Sequence, residues 1–219
     1  MKESKYFLLC TEYFNLSAKA GKWLKPITYA YFKQMNQESA KALWSQEAYQ
    51  ECLLFVAERH KEQQVPGTEL PYLVHLSNVC MEVMAALPHS TGIDGTMAIR
   101  TALLHDCIED TDTAPEEIAE RFGEEVLRNV QALSKDGSLP KEERMPDSLR
   151  RIQEAGAVAA MVKLADRITN LQEPPAFWSQ EKRKAYQQQA EEILEALGSF
   201  HPWLAERLRM KIDAYGRWC

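Results

Sequence analysis

The chain has 219 residues and a mass of 25.1 kDa, which suits one domain with a full core. Its net charge of −6 argues against a general nucleic-acid binder, which is normally basic. No apolar run approaches the roughly 20 residues needed to span a bilayer, and Tyr6 to Cys10 is too short for a secretory signal core.

Residues 1–44 read as an N-terminal extension rich in Lys, Tyr and Phe, without a chemical motif of its own. Its aromatics, Tyr6, Tyr13, Phe14, Trp23, Tyr29, Tyr31 and Phe32, suit docking on the domain or a partner surface. Met35, ahead of Asn36-Gln37-Glu38-Ser39, stands as an alternative native start. Residues 45–219 read as an all-α domain with no strand, repeat or low-complexity tract. Gln46 to Gln63 is amphipathic, with Tyr49, Cys52, Leu53, Val56 and Ala57 at core spacing. Pro71 to Leu87 is the next helix, broken by Pro88 and Gly92. Asp94 is placed to cap the helix through Leu104. Thr113 reads as the N-cap of a short helix that stops at Phe122-Gly123. Helices follow through Val126 to Leu133, from Pro140 to Glu154 and from Ala155 to Leu171, where Pro174-Pro175 intervenes. Trp178 to Leu197 and Pro202 to Ala214 complete the chain.

The chemistry gathers at two helix ends. His105-Asp106-Cys107-Ile108-Glu109-Asp110 follows directly on the apolar run Ala98 to Leu104, where charge is expensive unless paired or bound to metal. On one continuous helix, His105 and Glu109 would lie one turn apart, as would Asp106 and Asp110. The pattern repeats where Ala157 to Ala165 leads into Asp166, with Asn170 one turn on. His75 is a third polar group among apolar neighbours. The metal set drawn from these is His75, His105, Asp106 and Asp166. Two imidazoles and two carboxylates without thiolate suit Mn²⁺ or Fe²⁺, with Zn²⁺ and Mg²⁺ as further options. The bland readings stand beside this one. His75 alone fits a hydrogen-bonded core histidine, and Asp166 alone fits an ion pair with Lys163 or Arg167.

With these motifs in view, the chain resembles the HD-domain phosphohydrolases of the Rel/Spo type, and among them the small alarmone hydrolases. The segments that carry the likeness are Arg59-His60-Lys61-Glu62-Gln63, Pro71-Tyr72-Leu73-Val74-His75, Ala102 to Thr111, Phe122 to Val126 and Val162 to Leu171. Together they cover about residues 47–197. The resemblance implies an HD-domain helical bundle with the metal site between core helices. It implies His75, His105, Asp106 and Asp166 as ligands, usually of Mn²⁺, with Glu109 and Asp110 positioning and activating water. Asn170 matches a nucleotide contact. The implied reaction is removal of the 3′-pyrophosphate of ppGpp or pppGpp to give GDP or GTP plus pyrophosphate, a phosphoric diester hydrolysis. Lys163 and Arg167 lie near the same wall and could face the polyphosphate, or be a solvated helix flank.

Two departures matter. The loop Gln64-Val65-Pro66-Gly67-Thr68-Glu69-Leu70 holds no Arg or Lys, where the family usually has basic residues and an Arg that packs on guanine. Base recognition must then come from elsewhere or be weaker. Leu76 follows His75 where Pro is common. Two other functions therefore stay open: an HD phosphohydrolase acting on NADPH, ppApp or another phosphorylated nucleotide, and a catalytically silent nucleotide-sensing module. The five cysteines, Cys10, Cys52, Cys80, Cys107 and Cys219, are widely spaced and odd in number, which favours reduced thiols and a cytoplasmic protein. Cys107 reads as packing, because acidic neighbours disfavour a thiolate. Lys135, Lys141, Arg144, Arg150 and Arg151 are interleaved with acids and read as a solvated face. The expected partner is a small-molecule nucleotide, with no nucleic acid and no membrane. The aromatic N-terminal stretch with Trp203 and Trp218 would suit a homodimer.

Overall fold

The computed structural model describes residues 43–219, the unit Leu43–Cys219. The aromatic stretch and Met35 lie outside the described residues. Ten α-helices are described: α1 (Gln46–Arg59), α2 (Leu73–Ala86), α3 (Gly95–Leu104), α4 (Cys107–Asp110), α5 (Pro115–Phe122), α6 (Glu124–Leu133), α7 (Lys141–Ala155), α8 (Ala157–Asn170), α9 (Gln180–Leu197) and α10 (Pro202–Tyr215). No strand occurs among the described residues, and the one antiparallel bridge joins Gln64 to Pro71. The all-α expectation holds.

Helix α8 is the axis of the packing. Every residue from Ala159 to Thr169 is buried, and α8 touches α2, α3, α6, α7, α9 and α10. A helix buried all round must be apolar all round, so the Lys163, Asp166 and Arg167 it carries need specific partners. Gly156, at φ 99°, ends α7 and starts α8 with no residue between, a left-handed turn that favours glycine. Helices α2 and α3 close the opposite side, with Leu76, Val79, Val83, Ile99 and Leu103 buried against α8. The described domain also includes Leu43 and Trp44: Ser45 N–H donates to Thr96 Oγ1 at 3.0 Å, and Trp44 lies 5.9 Å from Tyr49, ring to ring.

The caps refine the sequence reading. Asp94 Oδ1 accepts from Thr96 N at 2.9 Å and Met97 N at 3.0 Å, as expected. Ser45 and Ser179 cap α1 and α9 in the same way. Thr113 is not the N-cap of α5. That position is Ala114, and Pro115 starts the helix. The Thr113 hydroxyl instead meets Thr111 Oγ1 at 2.7 Å. Helix α1 stops at Arg59 rather than Gln63, because His60 leaves helical geometry and its ring turns onto Gln63. The basic positions are not all solvated. Arg151 donates to the carbonyls of Gln131, Ala132 and Ser134, capping the end of α6.

The Asp94 cap fixes the start of the helix that ends at the motif. Asp94→Ala is expected to cost about 1 kcal/mol, read as a lower urea midpoint with an unchanged slope.

Candidate metal centre

Three helix ends meet at one point. His75 comes from the first turn of α2, His105 and Asp106 from the exit of α3, and Asp166 from the last turns of α8. The motif does not continue as one helix. Helix α3 ends at Leu104, Asp106 takes φ −100° and ψ −1°, and α4 resumes at Cys107. This break corrects the continuous helix read from the sequence. Neighbours on a helix point about 100° apart, so only a break lets His105 and Asp106 face the same point.

The four side chains converge. His105 Nε2 lies 2.9 Å from Asp106 Oδ2 and 3.9 Å from Asp166 Oδ1. His75 Nε2 lies 3.5 Å from each of those oxygens. His75, His105 and Asp106 bring their donor atoms within 4.8 Å of one another. Both Nε2 atoms are buried without a hydrogen-bond partner. Even the 2.9 Å approach lacks hydrogen-bond alignment. The tautomer explains why: His105 Nδ1 donates to Ala102 O at 2.8 Å, so Nε2 of the neutral ring presents a lone pair inward. Two inward lone pairs among two carboxylates are a donor set for a divalent cation, and the residues fit one.

The surrounding groups hold these side chains. Lys163 Nζ donates to Asp166 Oδ2 at 3.1 Å, and Asn170 Nδ2 donates to Oδ1 at 2.5 Å. Tyr72, which sequence reasoning did not single out, donates its hydroxyl to Asp106 Oδ2 at 2.5 Å. Its ring stacks on His60 at 5.2 Å and sits 5.0 Å from His75. Burial disfavours charge on Asp166, yet Lys163, His105 and His75 outweigh it and lower its pKa to about 2. Burial likewise opposes ionised Asp106, and His105 and His75 hold its carboxyl well below the usual range. At His105 burial disfavours the imidazolium, but Asp106 and then Asp166 raise its pKa to about 9 when no cation is present.

Glu109 and Asp110 stand beside the centre, each with a partner. Glu109 accepts from Lys135 twice, from Nζ at 2.8 Å and from the backbone N–H at 2.9 Å. Lys135 is therefore a site residue, not part of a solvated face. Asp110 accepts from Gln63 Nε2 at 3.0 Å, and Gln63 Oε1 accepts in turn from His60 Nδ1 at 2.5 Å. Burial raises the Asp110 pKa, Gln63 opposes the rise, and Asp106 and Glu109 add to it. Neither Lys163 nor Arg167 is a solvated flank. Lys163 is buried on Asp166, and Arg167 is buried with its guanidinium 4.3 Å from the Tyr186 ring centre. Cys107 packs with its Sγ 3.6 Å from His60 Nε2, and burial and Asp106 push its thiol up.

Comparison with known proteins gives the family. The HD domain family matches residues 53–199. The chain belongs to the HD-domain family. A Xenopus tropicalis protein named guanosine-3′,5′-bis(diphosphate) 3′-pyrophosphohydrolase MESH1 is 36% identical over 152 residues, 67% of this chain and 83% of that protein. The Homo sapiens protein of the same name is 32% identical over 180 residues, 80% and 94% of the two chains. A solved structure, described as a metazoan ortholog of SpoT that hydrolyses ppGpp and plays a role in starvation responses, superposes with a TM-score of 0.66. It is 28% identical and covers 80% of this chain and 96% of its own. The chain is thus a small HD-domain protein of the Rel/Spo type. Among its described residues no helix is long and apolar enough to cross a membrane.

The proton on His105 gives a pH test. A folded pKa near 9 lies above the unfolded value of about 6.5. The metal-free protein therefore has that stabilisation in full below pH 6.5 and loses it as pH rises through 9. A cation must displace the same proton. Thermal melts should show metal-free stability falling between pH 6.5 and 9, while the increment from saturating Mn²⁺ grows across that window. A flat increment would remove His105 from the ligand set.

Proposed function

We propose that this chain is a divalent-metal-dependent guanosine-3′,5′-bis(diphosphate) 3′-pyrophosphohydrolase. The observation that carries the reading is the pair of buried, unpartnered imidazole nitrogens facing Asp106 and Asp166, in a chain whose relatives bear that activity in their names. The ligands we assign are His75, His105, Asp106 and Asp166, with Mn²⁺ as the first choice for a mixed nitrogen and oxygen set without thiolate. When bound, the cation supplies Lewis acidity to water and to a phosphoryl oxygen.

The residues then have distinct tasks. Glu109 takes the proton of the attacking water. Lys135 aims its carboxylate through two hydrogen bonds, and its ammonium adds positive charge beside an anionic substrate. Asp110, held by Gln63, orients the water. Water adds across the 3′ ester: a proton ends on the ribose 3′ oxygen and a hydroxyl on the departing pyrophosphate, leaving GDP or GTP. Asn170 links Asp166 to the nucleotide side of the centre. Lys163 acts by orienting Asp166 rather than by touching phosphate. Arg167 keeps Nε and Nη1 free of partners and is the substrate-side cation on α8.

The test is pyrophosphate release from ppGpp. Chelation should abolish it and added Mn²⁺ restore it. Glu109→Gln should lower kcat by at least about 100-fold while bound metal, measured by elemental analysis, stays at the wild-type level. A fully active Glu109→Gln would take the base assignment away. Absence of release from ppGpp by the metal-loaded protein would take away the function.

A further inference from the structure

His60 is the first residue past α1, and it is buried. Its backbone sits in a tight knot. His60 N–H donates to Val56 O at 2.9 Å, Gln63 N–H to His60 O at 3.0 Å and Tyr72 N–H to Gln63 O at 2.9 Å. Its ring meets three side chains. One face stacks on Tyr72 at 5.2 Å with the planes 25° apart. Nδ1 lies 2.5 Å from Gln63 Oε1, and Nε2 lies 3.6 Å from Cys107 Sγ. Gln63 and Tyr72 are the residues that donate to Asp110 and Asp106, and His60 reaches both carboxylates through them.

The direction of each hydrogen bond in this series is forced from one end. A carboxylate accepts, so the edge of Gln63 that faces Asp110 is its amide NH₂. Oε1, on the other edge, then faces His60, and the Nδ1 beside it must carry the proton. With Nδ1–H given to Gln63, Nε2 of the neutral ring is a lone pair, and the Cys107 S–H is the donor that meets it. From Cys107 through His60 and Gln63 to Asp110, every donor points the same way. A flipped Gln63 amide would set its oxygen against the Asp110 carboxylate and its NH₂ against the His60 N–H. The imidazole therefore opposes the flip at one edge and the carboxylate opposes it at the other.

We propose that His60 is a positioning residue for hydrolysis: its Nδ1–H locks the Gln63 amide in the one orientation that holds Asp110 for the attacking water. The inference rests on the pyrophosphohydrolase reading for the reaction that His60 serves. Two properties of the ring separate physically. Its face packs on Tyr72, and another flat ring can do the same. Its Nδ1–H gives direction, and only a donor at that place can do so. Groups that act on a reacting water must be held within about 0.5 Å of their productive place. Partners one step removed from such groups are worth about 10–100-fold in activity.

The experiment sets His60→Phe against His60→Asn. The first keeps a stacking ring and removes the donor. The second removes the ring and places an amide N–H near the position of Nδ1. A packing role alone ranks Phe above Asn in every measurement, and the proposal reverses that order in kcat. His60→Phe should lower kcat for ppGpp by about 10–100-fold, with KM and bound metal nearly unchanged. His60→Asn should recover most of kcat despite a lower melting temperature. In a Gln63→Leu background, His60→Phe should lower kcat no further. Full kcat in His60→Phe, an equal loss in His60→Asn or additive losses in the double variant would overturn the proposal. Heteronuclear NMR of the full chain loaded with Zn²⁺, a diamagnetic ion suited to imidazole and carboxylate donors, reads the lock without turnover. The wild-type His60 ring, assigned by its contact with Tyr72, should carry its proton on Nδ1, and the Gln63 amide protons should exchange faster in both ring variants that lack a donor, His60→Phe and His60→Leu. If wild type does not hydrolyse ppGpp, the pyrophosphohydrolase reading fails and the NMR still decides the lock. A proton on Nδ1 with Gln63 protection that depends on His60 supports it, and a proton on Nε2 refutes it, whether or not His60→Phe folds.

Discussion

Two imidazoles and two carboxylates, all but the part-buried Asp106 fully buried, gather around one point, and much of the architecture follows from making that tolerable. Isolated buried charge is expensive, so each carboxylate is fixed by neighbours before any cation arrives. Asp166 has Lys163 on one oxygen and Asn170 on the other. Both come from α8 itself, three residues before and four residues after, which is the natural reach of a helix. Asp106 has the Tyr72 hydroxyl. The imidazole Nε2 atoms alone are left without partners. A site whose carboxylates are held and whose imidazole Nε2 atoms face inward without other partners is preorganised for a cation.

The break between α3 and α4 belongs to the same constraint. A straight helix would have kept the α3 hydrogen-bond ladder but sent His105 and Asp106 to different faces. Ending α3 at Leu104 loses regular helix and aims two donor groups from adjacent positions at one point. The cost is limited by local bonds: Asp110 N–H still reaches Asp106 O at 2.8 Å, and the Thr111 hydroxyl donates to Cys107 O at 2.6 Å. Cys107, where α4 resumes, contributes apolar packing and no charge.

Most of the fold was legible because apolar spacing and punctuating residues set the helices. Asp94, Gly123 and the Pro174-Pro175 pair mark boundaries that the structure keeps. Thr113 misled because two hydroxyls two residues apart can satisfy each other, and Pro115 starts α5 without a side-chain cap. The ligand candidates were visible because His105, Asp106 and Asp166 each interrupt an apolar run. The break that aims two of them was not, since it depends on a target supplied by α2 and α8. The supporting contacts were hidden for a related reason. Lys135 meets Glu109 across 26 residues, Tyr72 meets Asp106 across 34, and Gln63 meets Asp110 across 47. No local pattern encodes such pairs. The nearest signal for Lys135 was its position just after α6 ends at Leu133, on a turn able to approach another motif.

The hairpin has a root tied to the metal centre and a tip that is held elsewhere. Gln63 and Tyr72 flank residues 64–70 and are tied to Asp110 and Asp106, so the hairpin root cannot change without disturbing the centre. Its tip makes no contact with a ligand residue and meets Pro175 at Gly67. Substitutions between these limits leave the His75, His105, Asp106 and Asp166 side chains where they are.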